Sequence, residues 1–321
     1  MKQGRNGGFV LVLVLVLMAA LSFMIVRAQV SARTTLNAEE SHLLNERLRH
    51  ILTGSVLNSL RELANDENTS VDHLGEKWAV PRQYELPDET RVVVRVIDVN
   101  RFFDMNNMYL MATESPALSP ERVLANIMTL CGDLAPQERV DALKEWVDPE
   151  HPGTREERYY MEQEPPYRPS RTWLASWREI LLVQGFDPVY FERSPEDRMP
   201  GDLNADIIDQ VSILPVRRTR PIPVNINTAS REVMLGILGY EREPMVRYII
   251  ESREEIPFRS VEDLSAIAGM DVLRDVRAYL DVRSEFYTVE ARAYSAVVTS
   301  SVMALARRGA DGTIQVLRWV Y

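Results

Sequence analysis

Cysteine and histidine are scarce in this sequence. Cys131 is the only cysteine, and the four histidines lie at positions 42, 50, 73 and 151. A single cysteine cannot form a disulfide within the chain or supply a cysteine-rich zinc site. The scattered histidines offer neither a His-based metal centre nor a His-dependent nucleophile. Ser-His-Asp, Cys-His and paired-carboxylate arrangements are also not evident, so the sequence predicts a protein that is not an enzyme.

Basic residues are also fewer than acidic residues. The 321 residues include 37 Lys and Arg against 47 Asp and Glu, which gives a formal net charge of −10 at pH 7. Such an acidic chain is a poor candidate for binding nucleic acid through bulk electrostatics, and no nucleic-acid partner is expected. The length of 321 residues is typical of about two domains.

One uncharged apolar run, Phe9 to Val26, is 18 residues long. This length is near the lower limit for a membrane-spanning helix and exceeds the roughly 7–15-residue core of a secretory signal. Lys2 and Arg5 precede the run, and the remainder of the chain is acidic. This charge pattern predicts a cytoplasmic N-terminus, with the bulk of the chain outside the cytoplasm. A cleaved signal, an uncleaved signal anchor and a trimmed pilin-type helix are the three interpretations.

The residues before the run resemble a prepilin cleavage motif, because a short basic leader ends in Gly8 directly before Phe9. The resemblance implies that residues 1–8 are a leader and that the prepilin peptidase cuts between Gly8 and Phe9. It also implies methylation of Phe9. Most pilins and pseudopilins carry glutamate as the fifth residue after the cut, where it is thought to meet the amino terminus of the subunit ahead. Leu13 stands there instead, as in the K-type pseudopilins, and is the candidate assembly residue.

Apolar residues continue at helical spacing beyond the run and stop near the polar stretch 65–70. The pattern predicts one long helix from about Phe9 to Ala64. We expect it to be membrane-embedded over 9–26 and amphipathic over 27–66.

β-Branched residues make 90–99 the clearest strand in the sequence. Three further candidates come late in the chain, at 284–293, 299–307 and 313–321. Together they predict a small antiparallel sheet of three or four strands that covers one face of the long helix. Residues 67–102 and 282–321 are assigned to this pilin-like β part.

Residues 103–281 separate the first predicted strand from the last three and are dominated by helical patterns and proline-rich loops. An inserted all-α domain is the economical interpretation. The fold class is therefore α+β, a pilin-like long N-terminal helix packed on a small antiparallel sheet with a large helical insertion. The predicted helices are Ser119–Leu130, Pro136–Val147, Ser170–Gln184, Asp202–Val211, Ser230–Leu238, Pro244–Glu254, Ser260–Ala268 and Val272–Leu280.

Several sequence blocks are similar, in the same order, to the K-type pseudopilin (GspK) family of the type II secretion system. The blocks are Ile97-Asp-Val-Asn-Arg-Phe-Phe-Asp-Met-Asn-Asn107, Trp146-Val-Asp-Pro-Glu150, Glu156-Glu-Arg-Tyr-Tyr160, Pro165-Pro-Tyr-Arg-Pro169, Glu179-Ile-Leu-Leu-Val-Gln-Gly185, Val224-Asn-Ile-Asn-Thr-Ala229 and Pro257-Phe-Arg-Ser-Val-Glu-Asp263. The resemblance implies a single-pass inner-membrane protein with its bulk in the periplasm. It also implies a minor pseudopilin that joins the I- and J-type minor pseudopilins and other pseudopilins at the pseudopilus tip. There it would initiate assembly and support protein export across the outer membrane.

The same resemblance implies calcium in the acidic segment after the tryptophan. The candidate ligands are Asp148, Glu150, Glu156 and Glu157. Calcium takes six to eight oxygen ligands, which carboxylates supply. Glu150 departs from the family pattern, in which an aspartate is common. A solvated acidic loop is the alternative interpretation.

Residues 221–281 also resemble the tandem helix-hairpin-helix module of competence-type DNA-binding proteins. In those proteins each hairpin has a Gly-hydrophobic-Gly turn whose backbone amides approach a phosphate. Here the turns read Gly239-Tyr-Glu241 and Gly269-Met-Asp271, so an acid replaces each second glycine. Residues 221–282 contain seven Arg, no Lys and eleven Asp and Glu, a net charge of −4. The alternative function is a signal-anchored periplasmic protein whose helix-hairpin-helix-like domain binds DNA or a protein partner.

Overall fold

The fold combines one very long helix, a five-stranded sheet and a helical region inserted between two of the strands. The structure is a computed structural model that describes residues 7–66, 68–109, 118–149, 157–187, 190, 207–216, 218 and 220–321. The side chains of residues 9, 10, 36–38 and 157 lie outside this description.

Helix α1 spans Gly7–Ala64, which confirms the predicted long helix. In its second half a stripe of apolar side chains recurs every three or four residues, and each is at most 5% exposed. This spacing places all of them on one face of the helix, so that face packs on the sheet. The stripe consists of Leu48, Leu52, Val56, Leu60 and Leu63.

The sheet is antiparallel throughout. Its strands are β1 (Arg82–Glu85), β2 (Arg91–Asp98), β7 (Phe286–Tyr294), β8 (Thr299–Arg308) and β9 (Ile314–Val320), which lie side by side in that order. The expected count of three or four strands was therefore too low. The missed strand is β1, whose polar and mostly exposed residues show no apolar alternation. It is held at the edge by backbone pairing to β2, which a hydrophobic pattern does not reveal.

Along the strands, buried side chains that face α1 alternate with side chains on the outer face of the sheet. The residues on the face toward α1 are Val92, Val94, Val96, Tyr287, Val289, Ala291, Ala293, Val302, Ala304 and Ala306, all buried. Four of the seven residues that β7 and β8 contribute to this face are alanines, so the helix can lie close to the sheet. Trp78 closes one end of this core, with its ring 5.5 Å from the ring of Tyr287.

The helical region between β2 and β7 has its own, larger core. The helices described there are α2 (Pro120–Leu130), α3 (Pro136–Val147), α4 (Glu157–Met161), α5 (Trp177–Ile180), α6 (Arg231–Leu238), α7 (Glu243–Glu255), α8 (Ser265–Ala268) and α9 (Met270–Val276). Gly236 allows α6 to approach α2, because a Cβ at this position would lie 2.3 Å from Cγ1 of Ile127. The assignment of 103–281 as a separate domain stays a prediction.

The region that was predicted to be all-α also contains two short pairs of parallel strands. One joins β3 (Phe103–Asp104) to β4 (Val211–Ser212), and the other joins β5 (Val224–Asn225) to β6 (Leu280–Asp281). The predicted helix Val272–Leu280 is accordingly shorter, since α9 ends at Val276 and Leu280 belongs to β6. Two-residue strands are too short to leave an alternating pattern in the sequence.

The predicted helix Ser170–Gln184 was wrong over most of its length, because only Trp177–Ile180 is α-helical. Hydrogen-bond acceptors from distant segments hold the preceding backbone. Leu174 N–H donates to Asn106 Oδ1 at 2.6 Å, and Arg171 N–H donates to the carbonyl of Trp146 at 2.8 Å. These bonds replace the helical ones. Much of the predicted helix Asp202–Val211 lies outside the described residues, and its last residue is in β4.

Candidate functional site

The first half of α1 leaves its apolar side chains uncovered. Among residues 11–26 the large apolar side chains are between 46% and 65% exposed. An 18-residue window of this helix has a mean hydropathy of 2.6 and no buried residue, so α1 is long and apolar enough to cross a membrane. In the portion of the chain that the structure describes, α1 alone meets that test.

The predicted processing site lies at the start of α1. Gly8 and Phe9 belong to the helix, and the side chain of Phe9 is outside the description. Leu13 is 49% exposed on the same segment. Cleavage between Gly8 and Phe9, methylation of Phe9 and the assembly role of Leu13 stay predictions.

The structure describes only a portion of the predicted calcium segment. Asp148 directly follows α3 and is buried. Glu150 and Glu156 lie outside the described residues, and Glu157 begins α4 with its side chain outside the description. Glu145, one helical turn before Asp148, is a second buried carboxylate that the sequence did not indicate. The predicted set of four ligands is therefore neither assembled nor separated by the described geometry.

The structure brings together a different group of acids, Asp66, Asp72 and Glu76, whose carboxylate oxygens lie within 4.8 Å of one another. The fully buried Arg308 reaches into this group. Its Nη1 lies 3.1 Å from Asp66 Oδ2, and its Nη2 donates to both oxygens of Asp72. Glu76 accepts hydrogen bonds from Trp78 Nε1 and His73 N–H, and burial raises the pKa of Glu76. Protein donors therefore hold all three carboxylates, and the group ties the end of α1 to β8.

Asp98, at the end of β2, forms the centre of a buried polar joint. Its Oδ1 accepts from the backbone N–H of Asn100 at 2.8 Å, and its Oδ2 accepts from the hydroxyls of Thr228 and Ser284. Asn225 Nδ2 donates to Ser284 Oγ at 2.8 Å and to the carbonyl of Asp72 at 3.1 Å. The joint therefore links the helical region to the sheet and to the segment after α1.

Burial raises the pKa of Asp98 to about 6, although the hydrogen bonds from Ser284 and Thr228 act in the opposite direction. Asp104 in β3 is also fully buried, and burial raises its pKa to about 7 against the opposing bonds from Leu214 N–H and Ser212 Oγ. Desolvation disfavours the charged form of each carboxyl group. Both groups are structural, since each bonds to the protein's own backbone and hydroxyls.

The sequence blocks that resemble the K-type family meet in pairs. The block around Asp98 meets the block of Thr228 in the polar joint. Asn227 pairs with the backbone of Phe258 through bonds of 2.9 and 3.0 Å, which joins the two blocks that contain them. Trp146 Nε1 donates to Glu179 Oε1 at 2.9 Å, which joins two more. Residues of these blocks therefore make the contacts that hold the helical region together. The spacing of the blocks in the sequence did not reveal this role.

Both helix-hairpin-helix-like turns keep their glycine conformation. The φ angles are 105° at Gly239 and 81° at Gly269, in the region that favours glycine. The carboxylate of Glu241 lies against the first turn, where a Cβ on Gly239 would be 2.5 Å from its Oε1. Asp271, the last residue of the second turn, has a side chain that is 95% exposed. An acid beside each turn repels phosphate, so the geometry opposes DNA binding.

A segment of the helical region matches a known family. The family model described as "Type II secretion system (T2SS), protein K" matches residues 102–194. The chain is also 24% identical over 338 residues to the type II secretion system protein K of Pseudomonas aeruginosa, and the match covers 99% of this chain and 93% of the relative.

The fold is similar to a chain in the crystal structure of the GspK-GspI-GspJ complex from the type 2 secretion system of enterotoxigenic Escherichia coli. The TM-score is 0.65 at 17% sequence identity, and the match covers 88% of this chain and 97% of the other. This similarity confirms the predicted α+β fold. The sequence blocks, the family match and the shared fold all show that this chain is similar to type II secretion system protein K.

Proposed function

We propose that this chain is the minor pseudopilin at the tip of a type II secretion pseudopilus, where it initiates assembly. The observation that carries the proposal is Leu13, an apolar residue on an uncovered membrane helix. A subunit inside the filament needs a carboxylate there to meet the amino terminus of the subunit ahead, since a charge in lipid requires a partner. A tip subunit has no subunit ahead of it and needs no such carboxylate.

The helical region supports the same position. The Asp98 joint fixes it to the sheet through buried hydrogen bonds, so it is not free to move aside from the pilin-like β part. A filament that continued above this subunit would have to make room for the whole region. At the tip no further subunit competes for that space.

The partners of this subunit are the I- and J-type minor pseudopilins. The solved relative with the same fold was crystallised as a complex of GspK, GspI and GspJ. The N-terminal helix spans the inner membrane once and places the remaining chain in the periplasm, as the basic leader and acidic remainder favour. The prepilin peptidase removes residues 1–8.

Reconstitution tests this function. The full chain and the I- and J-type pseudopilins of the same organism are co-expressed, extracted in detergent and weighed by native mass spectrometry. We expect a complex with one copy of each, and none when the Asp98→Ala change loosens the helical region. Failure of the wild-type chain to join the other two would contradict the proposal.

We also propose that the segment 148–157 holds a structural calcium ion. The chemistry of the segment supports this, because the carboxylate of Asp148 is buried at the end of α3 and carboxylate oxygens are the ligands that calcium takes. A bound divalent cation offsets the cost of burying such a charge. Glu150, Glu156 and Glu157 would supply the remaining carboxylates. The ion would stabilise the fold and take no part in chemistry.

A further inference from the structure

The outer face of the sheet, which points away from α1, is organised in rows that run across the strands. One row consists of Ile97, Thr288, Leu305 and Arg318, and the next of Arg95, Glu290, Met303 and Val320. The following row pairs Val93 with Arg292, and the last pairs Arg91 with Tyr294. Each row therefore carries one arginine, and most of the apolar side chains lie in the first two rows, which form the apolar end of the face.

A cleft of about 500 Å³ lies at the apolar end of this face. Its floor is formed by Ile97, Met303 and Leu305, and its wall by Phe102 and Trp177 of the helical region. None of these five side chains is fully buried. The cleft can therefore take apolar side chains of another molecule.

Glu290 lines both the cleft and a second depression of about 350 Å³. Arg91, Arg95 and Arg292 line that depression. Glu290 is held by Arg292 through an ion pair of 2.5 Å, and Arg91 stacks on Tyr294 at 5.1 Å. Among the described residues Arg91 and Arg95 form no ion pair with an acid, so their guanidinium groups are available.

The charge of this face is opposite to that of the chain. Its rows carry four arginines, at 91, 95, 292 and 318, against two glutamates, at 85 and 290. The chain as a whole has a net charge of −10. Guanidinium groups bind carboxylates through paired N–H donors, which suits a partner with regularly spaced acids.

We infer that the outer face of the sheet is a docking surface for an extended acidic segment of a partner protein. Apolar side chains of the segment enter the cleft beside Leu305, and its carboxylates pair with Arg91 and Arg95. Charge complementarity favours this occupant. A flat lipid surface cannot enter the concave cleft between the sheet and the helical region. The inference does not depend on the proposed tip position.

The test uses the full chain in nanodiscs made only of zwitterionic lipid. The probes are a set of fluorescein-labelled peptides in which leucines precede alternating glutamates, with copies that carry glutamine instead. Binding is followed by fluorescence anisotropy. The Arg91→Glu, Arg95→Glu double variant should bind the glutamate peptides at least about tenfold more weakly, since each charge-assisted hydrogen bond contributes enough for this. Val320→Asp, at the apolar end, should also weaken binding.

Arg247→Glu is the matched control, because Arg247 is an exposed arginine on α7, away from the cleft. This control should bind as the wild type does, and the thermal unfolding of all variants shows whether they are folded. The inference would be overturned if the glutamine peptides bound as tightly as the glutamate peptides. It would also be overturned if the double variant bound the glutamate peptides as tightly as the wild type does, or if no acidic peptide bound. Displacement of bound peptide by anionic phosphatidylglycerol vesicles would instead assign the surface to lipid and overturn it as well. None of these results bears on assembly with the I- and J-type subunits.

Discussion

The hydroxyl of Thr228 donates a hydrogen bond to the carboxylate of Asp98, although 130 residues separate them in the chain. Asp98 ends the sheet strand β2, and Thr228 lies in the helical region just after β5. Both side chains are at most 1% exposed. This contact and its neighbours join the helical region and the sheet into a single structural unit.

Replacement of Asp98 by alanine should destabilise the fold by about 2–4 kcal/mol, because it leaves several buried donors without an acceptor. The measurement is chemical denaturation of the full chain in detergent, followed by tryptophan fluorescence. Asp271→Ala is the control, since this side chain is 95% exposed, and we expect a change within about 0.5 kcal/mol. An Asp98→Ala variant as stable as this control would show that the joint is not energetically important.

Stability should rise as the pH falls from 8 to 5. Burial raises the pKa of Asp104 to about 7 and that of Asp98 to about 6, both above the ordinary value of 3.8. The folded state therefore binds protons more tightly than the unfolded chain, and ionisation of these groups destabilises the fold as the pH rises through 6 and 7. The melting temperature at several pH values measures this effect.

Asp104→Asn provides the comparison for that pH series, because the amide removes one of the two titrating groups. Its melting temperature should be lower at acidic pH, because the amide has one acceptor oxygen instead of two. It cannot accept both the bond from Asn106 N–H and the bonds from Leu214 N–H and Ser212 Oγ, which end on different oxygens of Asp104. Its slope between pH 5 and 8 should also be shallower than that of the wild type. Parallel slopes would contradict the assigned role of Asp104.

Processing at the N-terminus should remove residues 1–8 and leave a methylated Phe9. Intact-mass analysis of chain extracted from membranes measures this directly. Gly8→Val should block the cut, whereas Gly7→Ala should leave it unaffected, because the motif places the required glycine directly before Phe9. An intact Met1 in the wild-type chain would favour the alternative, a signal-anchored periplasmic protein.

Replacement of Leu13 by glutamate should impair function. A carboxylate without a partner in the membrane costs roughly 2.5–3.5 kcal/mol on insertion scales, and a tip subunit has no subunit ahead to neutralise it. Secretion of an exported protein by a complemented deletion strain measures the effect, with Leu13→Met as the apolar control. Undiminished secretion with Leu13→Glu would show that this position does not set the place of the subunit in the filament.

Removal of calcium should lower the melting temperature of the full chain. Asp148→Asn should reduce the difference between samples with calcium and samples with chelator. Asp141→Asn is the matched control, because this exposed aspartate lies on the same helix and bonds to Gln137. A melting temperature that does not change with chelator would contradict the calcium proposal.

Long-range periodicity in the sequence predicted the long helix and the main strands. α1 and β2 carry patterns sustained over many residues, and both lie within two residues of the expected limits. The extended backbone before α5 was missed because Asn106 and Trp146, distant in sequence, supply its hydrogen-bond partners. β1 was missed because its residues are mostly exposed and its pairing to β2 involves only the backbone.

The contacts of the polar joint could not be predicted from the sequence either. Asp98 and Thr228 stood in two sequence blocks that resemble the K-type family, yet no local pattern indicated that they touch. Arg308 gave no signal at all, since an arginine at the end of an exposed-looking strand is usually solvated. Its burial depends on Asp66 and Asp72, which a loop after α1 brings to it.

The most direct test of the tip position is to locate this subunit on an assembled pseudopilus. An epitope tag after Tyr321 can be labelled with gold particles on pseudopili sheared from cells that overproduce the major pseudopilin. We predict gold at one end of each filament, and fewer filaments in a strain that lacks this chain. Gold distributed along the filament length would contradict the tip position.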